Sequence, residues 1–188
     1  MPVIDVMSGD STASQHRRLV VAVSGGVDSM VLLDTLAQQT KCNLVVAHFD
    51  HGIRPTSGDD AVLVADAAER YGAEFVVEHA TLGAGASETV ARHARMAFFE
   101  RVTSTYDAPL VTAHHADDVI ETVAINLIRG TGWRGLSALS SHANVIRPLL
   151  QYTKSDLVEY AIERGLMWSE DATNDDPRIL RNYLRLVV

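Results

Sequence analysis

The apolar run Arg18-Leu19-Val20-Val21-Ala22-Val23 leads into Ser24-Gly25-Gly26-Val27-Asp28-Ser29 and then into a helix-like stretch from Met30 to Gln39. One short segment thus holds a strand, a glycine turn and a helix start, and the same alternation recurs along the chain. Asn43 to Phe49 reads as a second buried strand, Ser57 to Tyr71 as a helix stopped by Gly72, and Glu74 to Glu78 as a third strand. Ser87 caps a helical run to about Thr105. Pro109 introduces a strand over Leu110-Val111-Thr112-Ala113, and Asp117 to Arg129 is the next helix. Strands alternating with helices at this spacing predict an α/β fold, a parallel sheet with helices on both faces and right-handed crossovers. Ligands of such sheets sit at the carboxyl ends of the strands.

The loop after the first strand has the chemistry of an anion cradle. Two glycines allow a tight turn that brings backbone N–H groups against phosphate oxygens, and the new helix adds unpaired donors and the positive end of its dipole. A nucleotide is the expected ligand. The loop lacks the Gly-Lys-Ser/Thr ending of a Walker motif, whose lysine reaches the terminal phosphates. Asp28 stands there instead, and an aspartate beside a triphosphate calls for a divalent cation between them, so Asp28 predicts magnesium. Taken in isolation, the segment also fits an ordinary strand-to-helix turn with a capping serine.

Composition narrows the options. The 188 residues suffice for one α/β domain with a full core. The expected division is a disordered lead-in over 1–16, a catalytic domain over 17–150 and a helical C-terminal extension of the same domain over 151–188. The lead-in is rich in Ser, Thr and Asp and lacks periodicity. No apolar stretch approaches a membrane span and no secretory signal pattern is present, as expected of a cytoplasmic protein with no membrane partner. The single cysteine, Cys42, excludes an intrachain disulfide and CxxC chemistry. The net charge of −8 argues against general nucleic-acid affinity, but 8 of the 16 basic residues and only 7 of the 24 acidic ones lie from Arg129 onward. Nucleic acid, if bound, belongs toward that end.

Polar clusters mark the strand tips. The second strand ends in His48-Phe49-Asp50-His51-Gly52-Ile53-Arg54, which reads either as site chemistry or as a turn whose amides Asp50 and His51 satisfy. The fourth ends in Thr112-Ala113-His114-His115-Ala116-Asp117-Asp118, with Glu121 following. Asp117 and Asp118 lie four and three residues before Glu121, so these carboxylates can share one face of a first helical turn and suit a cation or an amine. Acids there also match the helix dipole, an alternative that leaves the paired histidines unexplained. A His/Asp zinc site is conceivable, and without thiolates it fits catalysis better than structure. Glu88, Arg92 and Arg95 share a helix face, either solvated or turned toward a phosphate-bearing ligand. Trp133 and Trp168 read as core or docking aromatics, or as base-stacking platforms.

Ser24 to Ser29 after the first strand resembles the PP-loop of the N-type ATP pyrophosphatases, which split ATP between the α- and β-phosphates. Within that superfamily several further segments resemble the tRNA(Ile)-lysidine synthetases. They are His48 to Arg54, Glu88 with Ala91-Arg92, Thr112 to Asp118 with Glu121-Thr122, Gly130-Thr131-Gly132 with Gly135-Leu136, Arg147-Pro148-Leu149-Leu150, and Trp168 with Asp171, Asn174 and Arg181-Asn182. The resemblance spans about Leu19 to Arg185. It implies ATP and Mg2+, L-lysine, and a tRNA(Ile) with a CAU anticodon whose wobble cytidine is adenylated and then joined to lysine, giving lysidine, AMP and pyrophosphate.

It also implies roles. Ser24, Gly25, Gly26, Val27, Asp28 and Ser29, with His48 and Asp50, would bind ATP and its pyrophosphate, Asp28 holding the metal through the phosphates. Asp28, His115 and Asp117 would be catalytic, with His114 lining the same cleft, and Asp118 and Glu121 would bind lysine. Arg54, Arg92, Arg95 and Arg181 would contact tRNA or its cytidine. Members of that family usually continue into further tRNA-gripping domains, whereas this sequence ends at Val188; a homodimer is one expected source of additional surface. The alternatives are another PP-loop activator, such as a tRNA thiolase or an ammonia-using synthetase, and a nucleotide-binding module without chemistry. The lone Cys42 weighs against thiolation, and the His114 to Glu121 cluster weighs against a pure binder.

Overall fold

The computed structural model describes residues 4–6, 16–52, 57–80, 88–128, 130 and 144–170. Among the described residues, five strands and five helices alternate in chain order: β1 (Arg18–Ala22), α1 (Val27–Gln39), β2 (Asn43–Asp50), α2 (Ser57–Arg70), β3 (Glu74–His79), α3 (Glu88–Tyr106), β4 (Leu110–Val111), α4 (Ala116–Ile128), β5 (Val145–Ile146) and α5 (Lys154–Glu163). The strands form one sheet in the order β3-β2-β1-β4-β5, and every pairing is parallel. The α/β expectation is met. The fourth and fifth strands are shorter than their apolar runs, each reduced to two residues. Of the helical C-terminal extension expected over 151–188, residues 171–188 lie outside the described residues.

Strand periodicity builds a core on each face of the sheet. Leu19, Val21 and Val23, with Leu44 and Val46, pack with α1, α2 and α5. Val20, Val45, Ala47 and Phe49 turn to the other face, against Phe98, Phe99 and Val102 of α3. Both faces are covered, so the central strands read as continuous apolar runs. Within the lead-in expected over 1–16, residues 4–6 and 16 are described. Ile4 and Val6 are buried in the first core. Their backbone is held by Gln39, whose amide donates to the Ile4 carbonyl at 2.5 Å and accepts from the Val6 N–H at 3.0 Å, and by the Tyr152 hydroxyl, which accepts from Asp5 N at 2.8 Å. Two apolar residues spaced for an extended segment bury themselves despite polar neighbours.

Helix α5 starts as its sequence predicts. Thr153 accepts from the Asp156 N–H while the Asp156 carboxylate accepts from the Thr153 N–H, a complete capping box. The Thr153 hydroxyl, which donates to the Asp156 carboxylate at 2.7 Å, and then the Thr153 N–H hold that carboxyl below its ordinary range. Helix α1 carries a buried charge that binds three helical segments together. Asp34 is 2% exposed, and it accepts from Tyr71 at the end of α2 and Tyr160 of α5, each at 2.7 Å, and from Gln38 at 2.7 Å. Arg164 lies 3.4 Å away. Burial pushes the Asp34 carboxyl upward, but the two hydroxyls and the Arg164 charge outweigh it and leave it below the usual value.

The partners respond in the opposite sense. Burial and the hydrogen bond to Asp34 push Tyr71 up to about 12 and raise Tyr160 as well. A phenol raised above its unfolded value of about 10 contributes stability that is intact below pH 10 and lost as pH rises through its folded value. Thermal melts from pH 8 to 12 are therefore expected to show stability falling across the upper two units. The Tyr71→Phe/Tyr160→Phe double variant should lose that alkaline dependence. Asp34→Ala should lower urea-unfolding stability by about 1–3 kcal/mol, because two hydroxyls lose their acceptor.

Candidate active site

Strand order reverses at β1, with β2 on one side and β4 on the other, so the crevice above their carboxyl ends is a topological switch point. The loop after β1 and the segment after β4 face each other there. Gly25 takes φ of +93°, a conformation that side-chain-bearing residues rarely adopt. Gly26 is the N-cap of α1 and supplies no side chain to cap it; the Ser29 and Met30 N–H groups donate to the Gly26 carbonyl, each at 3.1 Å. Ser29 stitches the loop: its hydroxyl donates to the Gly26 carbonyl at 2.8 Å and accepts from Ser24 N at 3.2 Å. The Ser24 hydroxyl lies 3.3 Å from it.

Two neighbours brace this loop from beneath. His48 is 3% exposed, and its Nδ1 donates to the carbonyl of Val23, immediately before the loop, at 2.8 Å. That bond assigns the proton to Nδ1, and the buried Nε2 has no hydrogen-bond partner among the described residues. Ser169 donates its N–H to the Gly25 carbonyl at 2.9 Å, next to Trp168, which packs against the core. Asp50 accepts from Gly52 N at 2.8 Å and pairs with His79 Nδ1 at 3.0 Å, the turn-satisfying arrangement that its sequence context also allowed.

On the β4 side, His115 is 4% exposed and stands among three carboxylates. Its Nε2 is 3.8 Å from Asp28 and 3.6 Å from Asp118, and its Nδ1 is 3.7 Å from Asp117. These are ion-pair distances rather than hydrogen bonds, and among the described residues the buried Nδ1 has no hydrogen-bond partner. Buried polar atoms left unpaired are uncommon and ask for a functional explanation. Asp118 also accepts from the His115 N–H at 3.1 Å, closing the first turn of α4. Neighbouring His114 turns its Nδ1 to the Thr112 hydroxyl at 2.8 Å. Glu121 is buried although Ile120 beside it is 49% exposed, so α4 turns its charge inward and its apolar side chains outward.

One participant was missed from sequence. Lys154, the first residue of α5, reaches across the crevice and sets its Nζ 2.6 Å from Asp28 Oδ1. Its own N–H donates to Asp117 Oδ2 at 2.8 Å, and the Ala116 N–H donates to the Tyr152 carbonyl at 2.8 Å. The start of α5 is thereby tied to the tip of β4. No local signal singles out this lysine, which lies 126 residues from its partner.

The structure thus brings Asp28, His115, Asp117 and Asp118 together. Arg92 is exposed and Arg95 half-buried on α3. Arg54, Arg181 and Trp133 lie outside the described residues, and among those described no helix is long and apolar enough to cross a membrane.

The model of the PP-loop domain family matches residues 5–188. The chain belongs to the PP-loop family. It is 43% identical over 177 residues to the tRNA(Ile)-lysidine synthase of Thermus thermophilus, covering 90% of this chain and 34% of that protein. It is 39% identical over 181 residues to the enzyme of the same name from Geobacter sulfurreducens, covering 89% and 38%. This PP-loop chain therefore spans little more than a third of the length of these relatives.

Its fold is shared with the U34-tRNA thiolase NcsA from Methanococcus maripaludis, solved with its 4Fe-4S cluster. The TM-score is 0.74 at 21% identity, covering 88% of this chain and 63% of that one. The NH3-dependent NAD synthetase from Campylobacter jejuni shares it more distantly, with a TM-score of 0.55 at 15% identity, covering 82% and 67%.

Within the PP-loop, Gly25 is the position least able to change. A Cβ there would meet Asp60 and Val64 at an ordinary 3.6 Å, so the cost comes from the positive φ rather than from a clash. Gly25→Ala is expected to reduce stability by about 1–2 kcal/mol in chemical denaturation.

Proposed function

We propose that this PP-loop chain carries the catalytic chemistry of a tRNA(Ile)-lysidine synthetase. In this reading it joins L-lysine to the wobble cytidine of a tRNA(Ile) with a CAU anticodon, at the expense of ATP. The observation that carries the reading is the convergence of Asp28 with His115, Asp117 and Asp118 across the switch point. The similarity to two lysidine synthases over nine-tenths of the chain supports the choice of substrate.

The chemistry divides between the two strand tips. Ser24, Gly25, Gly26, Val27 and Ser29 would hold the β- and γ-phosphates against the uncapped start of α1, with His48 bracing the loop and Asp50 its neighbouring turn. The cytidine O2 attacks the α-phosphorus, the bond to the β-phosphate breaks, and pyrophosphate leaves. The loop N–H groups would stabilise the charge that accumulates on it. Among the described residues no group of three or more His, Cys, Asp or Glu side chains is arranged to hold a metal ion by itself. Asp28 offers a single carboxylate, which fits Mg2+, an ion that takes one or two carboxylates and fills its remaining positions with water and substrate phosphate. When bound it would neutralise phosphate charge.

In the second half-reaction Asp118 and Glu121 would bind the cationic end of lysine. His115, oriented by Asp117, would take the proton from the ε-ammonium, freeing the amine to attack C2 of the adenylated cytidine and expel AMP. Arg92 and Arg95 on α3, with Arg54 and Arg181, would meet the tRNA strand, and a homodimer would add further surface. A thiolase reading is disfavoured because Cys42 precedes β2, at the amino edge of the sheet, opposite the crevice.

The test is release of AMP and pyrophosphate from ATP with a CAU-bearing tRNA(Ile), with and without lysine, followed by mass analysis of the nucleosides. A lysine-dependent mass gain on cytidine is expected, and its absence would refute the assignment. Asp28→Ala, Asp118→Ala and Glu121→Ala should each lower the rate by about 100-fold or more. Asp28→Ala should block pyrophosphate release, whereas the other two should spare the first half-reaction.

A further inference from the structure

The PP-loop lacks the lysine with which a Walker loop reaches terminal phosphates, yet an ammonium stands at its lip. Lys154 Nζ is 2.6 Å from Asp28 Oδ1, with side-chain exposures of 46% and 29%. Its backbone is fixed by the Thr153 capping box and by the bond from Lys154 N to Asp117. The ammonium itself sits at the end of a flexible four-carbon stem, a point charge with three donors and freedom to change partners.

A half-exposed pair of this kind contributes little to stability. It also engages the carboxylate that the proposed function assigns to the divalent cation. The side chain on the opposite wall, His115, already faces three carboxylates.

Building on the reading of the loop as an ATP site, we infer that Lys154 is the phosphate-binding lysine of this domain. Its pair with Asp28 is the nucleotide-free half of an exchange. When the nucleotide enters with its divalent cation, the Lys154 ammonium transfers to the β- or γ-phosphate and the Asp28 carboxylate is released to the cation. Charge is conserved in the swap: one ammonium–carboxylate contact is replaced by an ammonium–phosphate contact and a carboxylate–cation contact. Because Asp117 holds the backbone of Lys154, the same exchange links phosphate occupancy at the β1 tip to the carboxylate cluster at the β4 tip.

Calorimetric titration with α,β-methylene-ATP and MgCl2 tests this without turnover. Wild type should bind. Lys154→Met and Lys154→Gln should bind about 10-fold or more weakly, while Lys154→Arg should recover most of the affinity, and all three should melt close to wild type. Wild-type affinity in both the Met and Gln variants would overturn the inference and leave the ATP reading intact. So would loss of affinity in step with loss of folded protein in every variant, which would make Lys154 structural. Failure of the wild-type protein to bind the analogue would instead overturn the ATP reading on which the inference rests.

Discussion

Parallel pairing of β1 with β2 on one side and β4 on the other is the constraint from which the site follows. A parallel sheet sends its chain out of every strand at the same edge, so the polar tips of β1, β2 and β4 emerge side by side. Order reversal at β1 keeps the helices after β1 and β4 from covering one another and opens a crevice between them. Asp28 and His115 are distant in sequence yet end 3.8 Å apart for this reason.

Around that crevice the chain tolerates arrangements that a stability argument alone would not favour. Gly25 adopts a conformation closed to most residues, α1 begins without a side-chain cap, and His48 and His115 each bury a nitrogen that lacks a hydrogen-bond partner among the described residues. Asp34, ten residues inside the PP-loop's Ser24, shows the contrary pattern. It is equally buried, but both of its oxygens accept from hydroxyls and a guanidinium lies alongside. Burial alone therefore does not identify function; the difference lies in whether the chain supplies the partners.

The elements were largely legible because each rests on local information. Apolar runs marked the central strands, and Thr153 with Asp156 marked the start of α5, where the capping box forms as expected. The acidic pair Asp117 and Asp118 was visible at the head of α4, and their histidine neighbour at the tip of β4. Ile4 and Val6 were obscured by polar surroundings, since they are buried in the first core and their backbone is held by Gln39 of α1 and Tyr152, neither adjacent in sequence. Lys154 had no signal at all, being an exposed-looking basic residue at an ordinary helix start.

The sequence by itself determined the alternation of strands and helices, the glycine turn at the PP-loop and the acidic and histidine groups carried to the strand tips, because periodicity, capping and backbone freedom act over a few residues. Only the tertiary structure decided that Asp28 meets both His115 and Lys154, and that Asp34 is satisfied from α2 and α5. Those contacts depend on the order in which parallel strands lie side by side. That order comes from packing two apolar faces over the whole chain, which no local pattern encodes.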